Sequence, residues 1–294
     1  MISKIHRYIT TDGSARLIFS DTTSIVQKAM DIHTPSPVVS AALGRALTGA
    51  SIMGSLMKNK TDSLTLRIKG DGPIGNIVCV SDYEGNVRGY ADNPFVDLPP
   101  RADGKLAVGD AVGEGTLYVF RDLGGKEPYV GMCELVSGEI AEDITSYFAQ
   151  SEQTPSVCAL GVLVGGGGST CLCAGGFIIQ LLPGALDETI DIIEKNISAF
   201  SSVTSLLRDG KEADDFAKLL FADLEYEKFD EIETEFRCNC SKSKYEKGLI
   251  SLGREELSAM INDGEPVETK CYFCNSSYTF ELDEIKKLFD NATK

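Results

Sequence analysis

The feature of this sequence that most constrains its fold is a set of four cysteines near the C-terminus. Cys238-Asn239-Cys240 is followed by 30 intervening residues and then by Cys271-Tyr272-Phe273-Cys274. Two close pairs suit tetrahedral zinc, because each pair presents both sulfurs from a single turn. The first pair is C-x-C and not C-x-x-C, so the pattern differs from an ordinary zinc ribbon. We therefore predict one zinc ion bound by Cys238, Cys240, Cys271 and Cys274.

The segment that carries these cysteines is too short to be stable without a cross-link. It contains a predicted helix at Arg254–Ile261, a hairpin-like stretch at Cys271–Phe280 and a last helix at Asp283–Phe289. Roughly 60 residues bury too little apolar surface to fold comfortably alone. Zinc that joins both pairs closes a loop of about 30 residues, which contributes roughly 3–4 kcal/mol of chain entropy. Metal–thiolate bonding adds on the order of 10 kcal/mol.

The same spacing allows a second interpretation of the four thiols. If an oxidant joined Cys238 to Cys240 and Cys271 to Cys274, each disulfide would close only a very small ring. The long-range link would then be lost, and the small domain would have no cross-link to hold it. Thiolates held together are also reactive groups. On spacing alone, a purely structural zinc site and a redox switch with an unfolded oxidised state both remain open.

The charge balance disfavours two classes of partner. The chain has 44 acidic and 28 basic residues, a net charge of −16. Binding to nucleic acid or to an anionic membrane needs clustered Lys and Arg, so neither partner is predicted. The first 19 residues have no apolar run long enough for a signal peptide. Nine cysteines in such a chain indicate reduced thiols, metal ligands or redox chemistry and not a secreted disulfide scaffold.

Residues 38–57 form the most apolar stretch, with Arg45 as the single charge. An arginine near the centre of a membrane span is costly, and the segment is poor in large apolar residues. Ser36 and Pro37 form a suitable helix start, and small residues recur every four positions from Ala42 to Gly54. We predict a helix buried in a soluble core.

Residues 1–180 combine short strands with a few helices, without βαβ alternation. A helix is predicted at Asp21–His33, followed by the buried helix just described. Period-2 alternation and flanking Gly and Asp clusters mark the strands. The predicted strands are Ser14–Ser20, one centred on Leu64–Ile68, Asn76–Val80, Val87–Ala91, Gly115–Arg121, Tyr129–Val136, Val157–Val164 and Cys171–Ile179. The fold class is therefore α+β, with a sheet-rich first domain, an acidic helical linker and a small zinc-binding α+β domain.

The linker is predicted over residues 181–232, and the C-terminal domain over residues 233–294. One apolar stripe runs from Leu186 to Phe200 at helical spacing, and a second spans Ala213–Leu220. Residues 187–235 contain 15 acidic and 5 basic side chains, a net charge of −10. Two interpretations fit equally well: an ordinary connector packed on the first domain, or a marginally packed one that is weakened by like-charge repulsion.

Several other motifs have simpler explanations than a site. Gly70–Gly75 matches the glycine spacing of a dinucleotide loop, but Pro73 interrupts it and a strand follows. We interpret it, like Gly165–Gly168, as a turn between strands. Cys171-Leu172-Cys173 lies in a strand pattern, so both thiols are predicted to be buried on one face. The remaining cysteines, Cys79, Cys133 and Cys158, also sit in strand patterns and are predicted core.

These residues closely resemble the redox-regulated bacterial heat-shock chaperone family known as the 33-kDa heat-shock protein. The resemblance covers almost the whole chain. The motifs that carry it are Ser40–Arg45, Lys69–Gly75, Val87–Tyr90, Gly104–Leu106, Asp122–Gly124, Ser137–Ile140, Ser151–Ser156, Gly175–Gln180, Cys238-x-Cys240-Ser241 and Cys271-x-x-Cys274.

The resemblance implies a cytoplasmic, ATP-independent holdase of the stress response. In that family the reduced form binds one zinc through the four cysteines and is inactive. Oxidation forms disulfides, here Cys238–Cys240 and Cys271–Cys274, releases zinc and unfolds the C-terminal domain. The linker then becomes unstable, apolar surface is exposed, and homodimers capture unfolding client proteins. This chain departs from the family in its five additional cysteines, which leave side disulfides open as an alternative, and the departure matters most at Cys171 and Cys173.

Two rival classes of function are weighed against this expectation. A constitutive binding protein with a merely structural zinc would show client binding that peroxide does not change. A zinc or cysteine enzyme would need an open coordination position and a nearby base. Four thiolates leave no open position and the sequence nominates no base, so no enzymatic activity is predicted.

Overall fold

The computed structural model describes residues 2–292 and separates into two compact units, one ending at Arg237 and the other beginning at Cys238. The strands are β1 (Ser3–Thr10), β2 (Ala15–Asp21), β3 (Ser63–Gly70), β4 (Asn76–Asp82), β5 (Val87–Ala91), β6 (Gly115–Asp122), β7 (Tyr129–Glu134), β8 (Ser156–Val164), β9 (Cys171–Leu181), β10 (Tyr226–Thr234), β11 (Val267–Lys270) and β12 (Ser277–Phe280). The helices are α1 (Thr23–His33), α2 (Pro37–Gly54), α3 (Val108–Val112), α4 (Ala141–Gln150), α5 (Asp187–Ser198), α6 (Val203–Arg208), α7 (Ala213–Leu220), α8 (Lys242–Ser251), α9 (Arg254–Asp263) and α10 (Leu282–Asn291).

The first unit is built on two antiparallel five-stranded sheets. The first sheet has the strand order β10-β1-β2-β9-β8, and the second has the order β5-β4-β3-β6-β7. The second unit contains the hairpin β11-β12 and the helices α8 to α10. This arrangement confirms the predicted α+β class.

Helix α2 lies between the two sheets of the first unit and contacts strands of both. Every residue from Val38 to Gly54 is buried except Arg45, whose guanidinium pairs with the Glu139 carboxylate. A Cβ on Gly54 would lie 2.7 Å from the Asp82 carbonyl oxygen, so the small-residue ridge allows a strand backbone to approach closely. The prediction of a buried helix is confirmed. Among the described residues, no helix combines the length and apolar character that crossing a bilayer requires.

The predicted strands of the first domain are confirmed, with ends that agree within two residues. The hairpin predicted at Cys271–Phe280 is displaced. Its first strand, β11, ends before Cys271, and both cysteines lie in the connecting turn. Strands β1 and β10 were not predicted, because their pairing joins segments more than 200 residues apart in the chain.

The predicted helical linker, residues 181–232, is helical only as far as Leu220, and its last part belongs to β10. Strand β10 is acidic, and it pairs with the basic strand β1. Lys4 Nζ lies 2.9 Å from Glu231 Oε1, and Arg7 Nε lies 3.2 Å from Asp230 Oδ1. Hydrogen bonds from Lys228 and Lys4 lower the pKa of Glu231 to about 2. Opposite charges across the strands therefore offset part of the repulsion within the acidic segment.

The glycine-rich loop at Gly70–Gly75 is a turn between β3 and β4, as predicted. A Cβ on Gly70 would lie 1.8 Å from the carbonyl oxygen of Val112, and one on Gly72 would lie 2.4 Å from that of Ala111. These glycines are needed because another backbone segment passes against the loop.

A buried carboxylate organises the loop between β7 and α4. Asp143 is fully buried, and its Oδ1 accepts hydrogen bonds from the backbone N–H groups of Val136, Ser137 and Gly138 at 2.7, 3.1 and 3.3 Å. Its Oδ2 accepts one from the Ile140 N–H at 2.8 Å. A buried carboxylate is tolerated where it is satisfied in this way.

We expect Asp143→Ala to lower the free energy of unfolding of the first unit by about 3 kcal/mol, because it leaves several buried N–H groups without an acceptor. Denaturant unfolding followed by circular dichroism measures the change. The matched control is Glu142→Gln, the exposed neighbour on the same helix, which should unfold like the wild type. Equal midpoints for the Asp143 and Glu142 variants would contradict the assigned role.

Candidate metal centre

The four cysteines predicted to bind zinc come together in the second unit. Cys238 and Cys240 lie in the segment before α8, and Cys271 and Cys274 lie in the turn between β11 and β12. All four Sγ atoms lie within 4.8 Å of one another. Cys271 is buried and the other three are half-buried. No other group of three or more candidate ligands occurs in the described part of the chain.

The sulfur geometry fits a tetrahedral metal ion. Zinc–sulfur bonds of about 2.3 Å place tetrahedral sulfurs about 3.8 Å apart. Cys238 Sγ lies 3.8 Å from Cys271 Sγ, and Cys240 Sγ lies 3.3 Å from Cys274 Sγ. Four thiols as the donor set favour a soft or borderline cation such as zinc over calcium or magnesium. The residues present could therefore hold one metal ion.

Local backbone interactions shape both cysteine segments. In the second, the Cys271 N–H donates to the Ser276 carbonyl at 2.9 Å and the Asn275 N–H donates to the Cys271 carbonyl at 2.8 Å. Asn275 adopts a left-handed conformation with φ of 59°, which asparagine tolerates well. In the first, Lys244 Nζ donates to the Asn239 carbonyl at 2.7 Å, and Ser241 caps α8. The second pair of sulfurs is thus presented from a hydrogen-bonded turn, and the first from the segment that leads into the capped start of α8.

The thiols differ in their readiness to ionise. Burial raises the pKa of Cys238 to about 12 and also raises that of Cys240. Burial opposes ionisation of Cys274 as well, but hydrogen bonds involving Ser276 and the neighbouring thiols outweigh it and lower the pKa to about 7. A bound cation favours the thiolate form, so loading the site would release protons.

Hydroxyl groups around the sulfurs were not identified from the sequence. Tyr278 Oη lies 3.1 Å from Cys240 Sγ, and Ser276 Oγ lies 3.3 Å from Cys274 Sγ. Tyr245, on α8, packs beside Tyr278, with the ring centroids 5.2 Å apart. Tyr278 and Ser276 follow Cys274 closely in the chain, but the placement of Tyr245 depends on how α8 packs.

The core that supports this site is small. Its buried apolar members are Leu249, Leu257, Cys271, Phe280, Ile285, Leu288 and Ala292. Lys242 reinforces it by pairing with Glu284 at 2.6 Å, with its Nζ 5.0 Å from the centroid of the Phe280 ring. So few buried side chains support the expectation that the unit needs a cross-link.

The other five cysteines lie apart from this cluster. Cys79, Cys133, Cys158, Cys171 and Cys173 are all buried in strands of the first unit, which confirms their prediction as core residues. Burial raises the pKa of the Cys79 and Cys158 thiols strongly. Cys173 Sγ lies 3.5 Å from the Thr204 carbonyl oxygen, against α6.

Together, the fold and the site define a two-unit α+β protein whose small C-terminal unit is organised around four cysteines. The sequence matches the family model described as Hsp33 protein over residues 3–281. It is 47% identical to a 33 kDa chaperonin of Lachnoclostridium phytofermentans, over 98% of each chain, and 43% identical to one of Ruminiclostridium cellulolyticum, over 99% of each.

A solved structure agrees with these matches. The fold is similar to the crystal structure of a 33 kDa chaperonin, a heat shock protein 33 homologue, from Thermotoga maritima, with a TM-score of 0.90 and 37% identity over 99% of each chain. The chain belongs to the Hsp33 family of chaperones.

We expect the reduced protein to bind one zinc ion per chain through the four clustered cysteines. Replacing Cys238 and Cys240 together by serine should abolish zinc retention through gel filtration, because two ligands are too few to hold the ion. Elemental analysis of the purified protein provides the measurement. The control, Cys173→Ala, removes a thiol outside the cluster and should leave the stoichiometry unchanged. A full zinc complement in the double variant would show that the metal binds elsewhere.

Proposed function

We propose that this chain is a redox-regulated, ATP-independent holdase that keeps unfolding proteins from aggregating in the cytoplasm. The observation that carries the proposal is the clustering of four cysteines within 4.8 Å in a unit with a small core. In the reduced state Cys238, Cys240, Cys271 and Cys274 hold one zinc ion, and the protein is inactive. The chain is proposed to have three functional parts, none of which catalyses a reaction. They are the chaperone core at residues 1–180, the linker at residues 181–232 and the redox-switch domain at residues 233–294.

Oxidation is proposed to form the disulfides Cys238–Cys240 and Cys271–Cys274 and to release zinc. Sulfur distances alone do not select this pairing, because the contacts Cys238–Cys271 at 3.8 Å and Cys240–Cys274 at 3.3 Å both join the first cysteine segment to the second. The family resemblance supports the local pairing, and its physical consequence is clear. Local bridges leave the loop of about 30 residues between the two cysteine segments open, so the unit loses roughly 3–4 kcal/mol of stabilisation from loop closure. A unit with so small a core would then unfold.

The linker helices cover an apolar face of the first sheet, which supports their proposed role as a releasable cover. Phe216 of α7 packs on Phe19 of β2 with ring centroids 4.3 Å apart and the planes tilted by 35°. Phe200, between α5 and α6, meets Phe177 of β9 at 5.2 Å. Phe19, Phe177 and Phe216 are almost completely buried. Departure of the linker would therefore expose several aromatic rings at once.

Few polar contacts anchor this cover, and much of it is exposed. Tyr8 Oη donates to Asp214 Oδ1 at 2.5 Å, and Thr189 Oγ1 donates to Asp12 Oδ2 at 3.0 Å. In α5 only Thr189 and Ile193 are buried. The chain runs directly from the linker through β10 into Cys238, so loss of order in the C-terminal unit removes a tether from the end of the linker. These contacts favour a marginally packed linker over an ordinary connector.

Homodimers of the oxidised form are proposed to present the exposed surface to clients.

The test of the proposed function is zinc release and aggregation suppression, measured together on the reduced, zinc-loaded protein during peroxide treatment. A chromogenic zinc indicator and light scattering from a thermally unfolding client supply the two signals. Suppression should rise in step with zinc release and reverse when reductant and zinc are restored. Equal suppression before and after complete oxidation would instead identify a constitutive binding protein with a structural metal.

A second prediction concerns the linker. Phe216→Ala should remove about 3–5 kcal/mol of packing between α7 and the first sheet, because the ring is fully buried. We expect faster hydrogen exchange in α5 to α7 and partial suppression of client aggregation by the reduced, zinc-bound protein. Leu219→Ala is the matched control, since this side chain of the same helix is 46% exposed. Faster exchange without any gain in suppression would show that the linker does not cover the client-binding surface.

A further inference from the structure

A tyrosine hydroxyl contacts one of the four clustered thiols. Tyr278, on β12, has its Oη 3.1 Å from the Sγ of Cys240 in the first segment. The proposed disulfide Cys238–Cys240 therefore contains one cysteine that a tyrosine hydroxyl contacts.

The Tyr278 ring is held by packing and not by the sulfur alone. Both Tyr245 and Tyr278 pack against the small core of the second unit, and their ring centroids are 5.2 Å apart with the planes tilted by 34°. The Thr269 hydroxyl donates to the Tyr278 carbonyl at 3.2 Å, which ties β12 to β11 beside the ring. Phenylalanine would keep these apolar contacts at position 278 and would remove only the hydroxyl.

A hydroxyl that donates to a thiolate alters that sulfur in two ways. It disperses part of the negative charge that four thiolates accumulate around a divalent cation. It also engages a sulfur lone pair that the thiolate would otherwise direct at an oxidant, and so lowers its nucleophilicity.

We propose that Tyr278 is a positioning residue whose hydroxyl slows the attack of Cys240 on peroxide, and so sets the oxidant level at which the chaperone is activated. The inference rests on the proposed redox function and concerns the rate of its first chemical step.

That step balances with a peroxide as the oxidant. The Cys240 thiolate attacks one oxygen of hydrogen peroxide, an S–O bond forms and the O–O bond breaks. The departing hydroxide takes up a proton and becomes water, so the sulfur loses two electrons and the peroxide gains them. The Cys238 thiolate then attacks the sulfenic sulfur, an S–S bond forms, and the hydroxide released from the S–O bond is protonated to water. The same two steps apply to Cys271 and Cys274.

The experiment compares zinc release from the wild type and from Tyr278→Phe over a series of hydrogen peroxide concentrations, with a chromogenic indicator in excess. The slope of rate against concentration reports attack on peroxide, and the intercept reports loss of zinc without oxidant. We expect the slope for Tyr278→Phe to rise about three- to tenfold, as for the loss of one hydrogen bond of ordinary net strength. The full-length protein is used throughout.

Phe280→Leu is the matched control for simple destabilisation. Phe280 lies two residues from Tyr278 on β12, is fully buried, and carries no hydroxyl. This variant should raise the intercept and leave the slope close to that of the wild type.

The outcomes separate this inference from the proposed function. A wild-type slope of zero would refute the redox function itself. A normal wild-type slope with a Tyr278→Phe slope within twofold of it would overturn the role of the hydroxyl and leave the redox function standing. Loss of zinc from Tyr278→Phe before any oxidant is added would also overturn it, because the hydroxyl would then be structural.

Discussion

The closure of the chain between its two cysteine segments is the constraint on which the C-terminal unit depends. Cys238 and Cys240 lie before α8, Cys271 and Cys274 lie between β11 and β12, and the sulfurs converge within 4.8 Å. The apolar core beneath them is small, so a metal that joins the two segments would provide much of the stability of the unit. A chemical change at four atoms is thereby converted into folding or unfolding of a whole unit, which is the physical basis of the proposed switch.

The parts of the first unit differ in how tightly they are packed, and this difference matches the roles proposed for the core and the linker. Helix α2 is enclosed between two sheets, and Asp143 secures a neighbouring loop through four buried hydrogen bonds. The linker helices instead rest on one face of the first sheet, with aromatic contacts on the inside and acidic side chains outside. Such a cover can leave while the two-sheet core remains folded, because local opening costs less than global unfolding.

The environment of the sulfurs has to satisfy two opposed requirements. The thiols must bind a cation tightly enough to hold the unit together, yet remain able to react with an oxidant. Half-exposure of Cys238, Cys240 and Cys274 admits small oxidants. The hydroxyl of Tyr278 offsets that access by contacting the Cys240 thiol. The balance between exposure and hydrogen bonding, and not the ligand set alone, would then determine sensitivity to oxidant.

The sequence by itself determined the α+β class, the buried helix α2, most strands of the first unit and the four cysteines that converge, because periodicity, helix-start residues and motif spacing are local signals. Only the tertiary structure decided the rest. Strands β1 and β10 pair across more than 200 residues, and the acidic end of the linker is a strand because the cations of β1 lie opposite it. Gly70 and Gly72 accommodate the backbone at Ala111 and Val112, which no local pattern reveals. The contact between the rings of Tyr245 and Tyr278 likewise depends on how α8 packs, since packing brings together groups that sequence distance keeps apart.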